Sequence, residues 1–341
     1  MSKKRLLFDA LTITIIAFST FSGLSQAGTQ NATPDEAAHK HEASYRAAWQ
    51  LLNDNYLYAK RLANWKDWQN KFHGKLRNAA DVNRAIDAML KSLGDEFTYI
   101  YKADDTVTVS EPCMTWRRLS NNAGYIKIAH FHSSSLLPKM RRALFALQDA
   151  PAIIIDLRHN HGGWVELTCR AAGFFVPKGT LASLHGRSKN HEIDTRIVLS
   201  EQDLIVFKDG SLSVRPREPL LAGNKPIIVL VNEDTRSAAE MFAGVLRDLR
   251  GAIIVGKRTF GKGVAQDVYS LESGDILKFV SARIVLPSGV CIHGKGLVPD
   301  YEISSKRKAR GQKVDQQLAK AVDLIDRGTG IAASSRGVPI M

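Results

Sequence analysis

The sequence predicts an α/β protein preceded by a helical unit, and three observations carry that expectation. Between residues 124 and 256, short continuous apolar runs alternate with amphipathic helical patterns, as in a parallel sheet with helical crossovers. Ahead of them, residues 39–93 repeat apolar positions at three-to-four spacing, with no strand signal. The chain has 341 residues, 44% hydrophobic and 24% charged, which is enough for a sizeable core and two compact units.

The N-terminus opens on a positive cluster, Lys3, Lys4 and Arg5, followed by the apolar run LTITIIAFSTFSGL at 11–24. Ser25-Gln26-Ala27 then places small residues at the two positions a signal peptidase reads, and Asp9 lies at the edge of the pattern. The run is short for a membrane span, which needs ~20 residues. Residues 1–27 are therefore expected to be a cleaved export signal, with a bacterial periplasm as the location. An uncleaved anchor in the inner membrane is the alternative. No cysteine follows the run, which argues against a lipoprotein.

Residues 28–38 read as a polar linker and 39–101 as the helical unit, with SYRAAWQLLNDNYLYAKRL and ADVNRAIDAMLKSL as its helices. Gly94 stands where a helix-ending glycine would. Residues 102–123 are polar and irregular, a short linker. The core is expected at 124–304. GYIKIAHF (124–131) is a strand, SLLPKMRRALFALQ (135–148) a helix with Pro138 in its first turn, and AIIIDL (152–157) a buried strand. LTCRAAGFF (167–175) is a helix, and 181–217 is extended with a hairpin turn at Asp209-Gly210. PIIVLV (226–231), the helix at 235–249, AIIVG (252–256) and further strands to about 285 complete it. KRKARGQK (306–313) is a basic linker, 314–326 a helix, and the remainder a loose tail.

The formal net charge is +13; residues 1–27 contribute three positive and one negative charge, so their removal leaves +11. Such a surface suits anionic partners, among them membrane headgroups and acidic proteins, or is simply a solvated face. No nucleic-acid recognition motif accompanies it, and an export signal argues against that partner. Cys113, Cys169 and Cys291 allow at most one disulfide, leave the pairing open, and match no zinc spacing.

The candidate chemistry begins at TRSAAE (235–240). Ser237 reads as a helix N-cap, with Glu240 closing a capping box. A serine there also lies among free backbone N–H groups at the positive end of the helix, which can hold an oxyanion. Ala238 supplies one such donor, and Gly162 or Gly163 in DLRHNHGGW a second. A serine nucleophile needs a base. Lys262, in TFGKG (259–263), serves if burial disfavours its charged form. Gln266 can orient it by hydrogen bonding and Asp248 electrostatically. Taken singly, Ser237 is an ordinary cap and Lys262 a solvated loop residue; Gly-Lys-Gly lacks the rest of a phosphate-binding loop.

The order and spacing of these parts resemble the carboxyl-terminal processing peptidases, or tail-specific proteases. Residues 226–266 carry the resemblance most specifically, and it extends to WQLLNDNY (49–56), LGDEFTYIY (93–101), GYIKI (124–128), DLRHNHGG (156–163) and LPSGVCIHGKGLVPD (286–300). It covers roughly residues 40–326. The resemblance implies a crotonase-like (ClpP/crotonase-type) protease core and a Ser-Lys dyad, with Ser237 as nucleophile and Lys262 as general base. It gives Gln266 the place of a glutamine that positions the lysine, and Asp248 the place of an aspartate some members need. It implies protein or peptide substrates, here from the cell envelope, and neither metal nor cofactor. Arg236 and Ala239 depart from the pattern, which has a small residue and a second serine there, and His159 and His161 enrich a loop poorer in histidine in the family. A larger departure is the PDZ domain expected between Tyr101 and Gly124: 22 residues are too few for a domain, which needs ~50. Substrate choice would then fall to the helical unit, to 181–217, or to an adaptor or activator protein.

Two rival readings stand beside this one. His130, His132, His159 and His161 form two His-x-His pairs that could meet around a metal, although no acid or cysteine is grouped with them. The fold could also serve as a non-catalytic or partner-activated peptide-binding module.

Overall fold

The computed structural model describes residues 34–102, 112–304 and 315–328, with side chains from residue 39 onward. The expected export signal, most of the 28–38 linker, the basic stretch 306–313 and the expected tail beyond 328 lie outside the described residues. In chain order come α1 (Pro34–Asn55), α2 (Lys66–Gln69), α3 (Ala79–Lys91), β1 (Tyr99–Tyr101), β2 (Met114–Arg118) and β3 (Gly124–Ile128). α4 (Leu136–Ala146), β4 (Ile153–Asp156) and α5 (Val165–Gly173) follow, then β5 (Gly179–Ser188), β6 (His191–Leu199), β7 (Asp203–Lys208) and β8 (Ser211–Pro216). β9 (Ile227–Val231), α6 (Ala238–Arg250), β10 (Ile253–Gly256), β11 (Val264–Ser270), β12 (Ile276–Val285), β13 (Tyr301–Glu302) and α7 (Gln316–Asp326) complete the chain.

The chain divides into two compact units. The first holds the described residues up to Lys102 together with 187–191 and 266–281, so the expected helical unit is joined by two later segments of the chain. α1 packs on α3, and Ala48 and Leu52 of the first and Val82, Ile86 and Met89 of the second are buried. Asn78 begins α3 as an ordinary cap: its backbone is extended (φ −157°, ψ 169°) and its side chain accepts from the Asp81 N–H. The LGDEF segment is folded around one carboxylate. Asp95 accepts from the Phe97 N–H at 3.1 Å, the Thr98 hydroxyl at 2.7 Å and the fully buried Tyr56 hydroxyl at 3.0 Å. Burial first, then the Asp95 charge, pushes the Tyr56 phenol above its ordinary range. β1 closes the segment by antiparallel pairing with β12, Tyr99 opposite Lys278.

The second unit is built on a six-stranded sheet in the order β13-β10-β9-β4-β3-β2. β13, β10, β9, β4 and β3 run parallel. The apolar runs IIID and IIVLV are buried at every residue, as strands covered on both faces must be. Ile154, Ile228, Leu230 and Val255 form a buried cluster with Ala321 and Leu324 of α7. Residues 114–118 correct the irregular-linker reading of 102–123: they pair antiparallel with β3 as the sheet's last strand. Only Met114 of the five is buried, so no apolar alternation betrays the strand, and Arg117 and Arg118 guard the edge. In the same unit β7 and β8 form the expected hairpin, with Asp209 and Gly210 both at positive φ (45° and 73°).

Arg158 ties α7 to the sheet. It donates to Asp156 from Nε at 2.9 Å and to Asp315, the cap of α7, from Nη1 and Nη2 at 2.8 Å. Asp156 is 2% exposed, so Arg158→Ala leaves a buried carboxylate without its counter-charge, held only by the Tyr125 hydroxyl and the backbone N–H of residue 158. A loss of about 3–5 kcal/mol is expected, read by urea denaturation. At Asp315 burial acts to raise the carboxyl, but Arg158 and the Leu318 N–H outweigh it and the net shift is downward from 3.8. This stabilisation is therefore full above the ordinary value and is lost as pH falls through the lowered one.

Candidate active site

Because β3, β4, β9 and β10 are parallel neighbours, the loops after them leave the same edge of the sheet, where α/β sheets hold their ligands. Those loops are 129–132, 157–164, 232–237 and 257–263. They contain Ser237, Lys262 and both glycines of DLRHNHGG.

The loops are clasped by buried polar side chains. Asn160, fully buried, donates to Ile128 O at 2.9 Å, accepts from the Gly162 N–H at 2.8 Å, and through its own carbonyl accepts from the Arg236 N–H at 3.0 Å. The Thr235 hydroxyl, also fully buried, donates to Leu157 O at 2.9 Å. Asn232 Oδ1 accepts from the His159 N–H at 2.9 Å.

Ser237 starts α6, and the expected capping box is present. Yet its backbone (φ 58°, ψ −126°) is unlike that of a cap such as Asn78. A positive φ is strained for serine and places it at the point of a sharp strand-to-helix turn, an arrangement that presents a nucleophile. Glu240 holds this turn. It is 0% exposed, and one carboxylate oxygen, Oε2, accepts from both the Ser237 and the Lys262 backbone N–H, each at 2.9 Å. Oε1 accepts from the Gly261 N–H at 2.7 Å and the Thr259 hydroxyl at 2.5 Å. Burial pushes the Glu240 carboxyl upward, and the four donors oppose that.

Gly162 has φ +90°, and a Cβ there would lie 2.8 Å from Arg236 O and 2.9 Å from both Ala238 N and Ser237 Cβ. The glycine loop thus touches the serine turn. The Gly162 N–H is committed to Asn160, so of the expected donors Ala238, at the first helical position, and Gly163 remain. Gly162→Ala should displace this turn and lower the thermal unfolding midpoint, checked by circular dichroism. Gly261, at φ +92°, passes 2.8 Å from Gly296 N by the same measure, which sets the lysine loop backbone-to-backbone on the 292–296 loop.

A family model described as Peptidase family S41 matches residues 122–303, more than half of the chain. The chain belongs to peptidase family S41. A carboxyl-terminal-processing protease of Synechocystis sp. is 29% identical over 229 residues, covering 66% of this chain and 48% of that one. A carboxy-terminal-processing protease of Bartonella bacilliformis is 27% identical over 290 residues, covering 78% and 62%. This S41 chain therefore spans about half to three-fifths of the length of these relatives. Among solved structures, the photosystem II D1 C-terminal processing protease superposes with a TM-score of 0.60 at 18% identity, over 77% of this chain and 93% of that one. A lipoprotein from Streptococcus agalactiae superposes at 0.64 with 14% identity, over 89% and 99%. The fold is that of the S41 peptidases, the mixed α/β core expected from the sequence.

One expected site residue of the S41 chain, Asp248, stands away from this edge. Asp248 is three turns along α6 from Ser237, roughly 16 Å at 1.5 Å per residue. Its Oδ2 accepts from the Ser288 N–H at 3.1 Å and its Oδ1 faces Arg247 Nε at 3.3 Å, so it anchors the 286–289 turn. Gln266 belongs to the first unit, where its Nε2 donates to Phe97 O at 2.5 Å. The histidines take other contacts: His159 meets Asp234 at 2.8 Å, while His132 lies against Trp164 and His130. Among the described residues no group of three or more His, Cys, Asp or Glu could hold a metal. Sequence reasoning missed Asn160, Thr259 and the full reach of Glu240, which it read only as half of a capping box.

Proposed function

We propose that this chain is a periplasmic serine endopeptidase that cuts exported or cell-envelope proteins with Ser237 as nucleophile and Lys262 as general base. The observation supporting this most strongly is the single Glu240 oxygen that accepts from the backbones of both residues while Ser237 is held at positive φ. In the proposed reaction the Ser237 hydroxyl attacks the peptide carbonyl as neutral Lys262 takes its proton. The Ala238 and Gly163 N–H groups stabilise the oxyanion. Collapse of the intermediate expels the amine, which takes the proton back from Lys262, and water then hydrolyses the Ser237 ester by the same route.

The role of Gln266 as the residue orienting Lys262 rests on the sequence resemblance. The export reading rests on residues 1–27; among the described residues no helix is long and apolar enough to cross a membrane. With only residues 102–123 where the family's PDZ domain is expected, substrate delivery falls to an adaptor or to the chain's own surface. The test is incubation with an unstructured protein, fragments being identified by mass spectrometry. Fragments from the parent and none from Ser237→Ala support the reading. No fragments from either reject a self-sufficient protease and favour a peptide-binding or partner-activated protein.

A further inference from the structure

Arg236 immediately precedes Ser237, and its backbone is fixed on both sides: its N–H donates to Asn160 O at 3.0 Å, and its carbonyl lies against Gly162. Its side chain crosses the Phe260 ring, with the guanidinium carbon 5.2 Å from the ring centre. A cation–π contact of this kind fixes the plane of the guanidinium without neutralising it. The Arg236 Nε is buried without a hydrogen-bond partner, and Arg236 enters none of the ion pairs among the described residues. Neighbouring acids are already engaged: Asp234 with His159 at 2.8 Å, Glu233 with Lys257 at 2.8 Å, and Glu240 with its four donors. The Arg236 cation also acts on His161 in the glycine loop, where partial burial and then that cation hold the imidazole below its usual pKa. A fixed, unneutralised guanidinium beside a nucleophile is a receptor for a planar anion, which its fork of N–H groups can bind through two oxygens.

We propose that Arg236 is a specificity-determining residue that binds a substrate carboxylate next to the scissile bond, so that peptides acidic at that point are preferred over neutral ones. This rests on Ser237 being the reacting residue. The carboxylate can be an Asp or Glu side chain or the peptide's own C-terminus, and the two sources separate experimentally. Phe260, 45% exposed, would form the apolar floor of the subsite.

The test measures binding of fluorescent peptides to the full chain carrying Ser237→Ala, by polarisation, so that cleavage is not required. Four peptides of one sequence are compared: free acid or carboxamide at the end, each with Asp or Asn in the interior. A carboxylate-bearing peptide should bind roughly tenfold to a hundredfold more tightly than its amide counterpart. A gain confined to the terminal pair identifies the C-terminus, and one confined to the interior pair identifies the side chain. In a second arm, Arg236→Gln should abolish the difference. Equal affinity for all four peptides, including no measurable binding of any, overturns the proposal, as does a preference that survives Arg236→Gln. Discrimination in binding without cleavage by the parent would instead sink the protease reading and leave the carboxylate subsite standing.

Discussion

Ser237→Ala and Lys262→Ala are each expected to reduce peptide hydrolysis to the same floor, a fall of roughly 10⁴–10⁶-fold in kcat, and the double variant to fall no further. The reason is that in the proposed reaction the two side chains act in one step: without the lysine the serine would keep its proton, and without the serine the lysine would have nothing to activate. Single-turnover measurements on one labelled peptide, at equal protein concentration and with circular dichroism to verify folding, give the comparison. Substantial activity in Lys262→Ala would assign the base elsewhere. Losses that multiply in the double variant would mean that the residues work independently.

Glu240→Gln is expected to damage both stability and turnover although the residue touches no substrate. An amide of the same shape must turn its NH2 either toward the Ser237 and Lys262 N–H groups or toward the Gly261 N–H. At least one buried backbone donor is then left without an acceptor, at about 1–3 kcal/mol each. The Thr259 hydroxyl, which accepts from the Leu297 N–H at 2.6 Å, has a second lone pair for that NH2, but the Gly261 N–H can only donate and stays stranded. A lower Tm should therefore accompany a kcat loss that exceeds any change in KM, because what shifts is the placement of nucleophile and base. An unchanged kcat in a folded Glu240→Gln variant would show that the bridge between the two backbones does not govern their chemistry.

Much of this arrangement was legible because each feature is local. The buried strands announce themselves as unbroken apolar runs, and the β7–β8 turn as Asp209-Gly210. The candidate nucleophile was legible as a serine between a buried strand and an apolar helix. What escaped the sequence depends on distant partners. β2 has a single inward apolar residue and becomes a strand only because β3 offers it an edge. Glu240 closes a local capping box, but its bonds to Thr259, Gly261 and Lys262 join positions about twenty residues away. Asp248 shares a helix with Ser237, and only helical rise places it three turns off, beside Ser288. Gly162 and Gly163 look equivalent in sequence, and Asn160 distinguishes them by taking the N–H of one. Segments 187–191 and 266–281 join the first unit through strand pairing and loop contacts that no window of sequence contains.

The central claim is that Ser237 is acylated during the reaction, and the direct measurement is a rapid acid quench with an activated ester followed by peptide mapping. The account predicts a burst of released alcohol approaching one equivalent per chain, with the acyl group on the Ser237 hydroxyl, and no burst from Ser237→Ala. An acyl group found on any other residue, or an undiminished burst from Ser237→Ala, would contradict it.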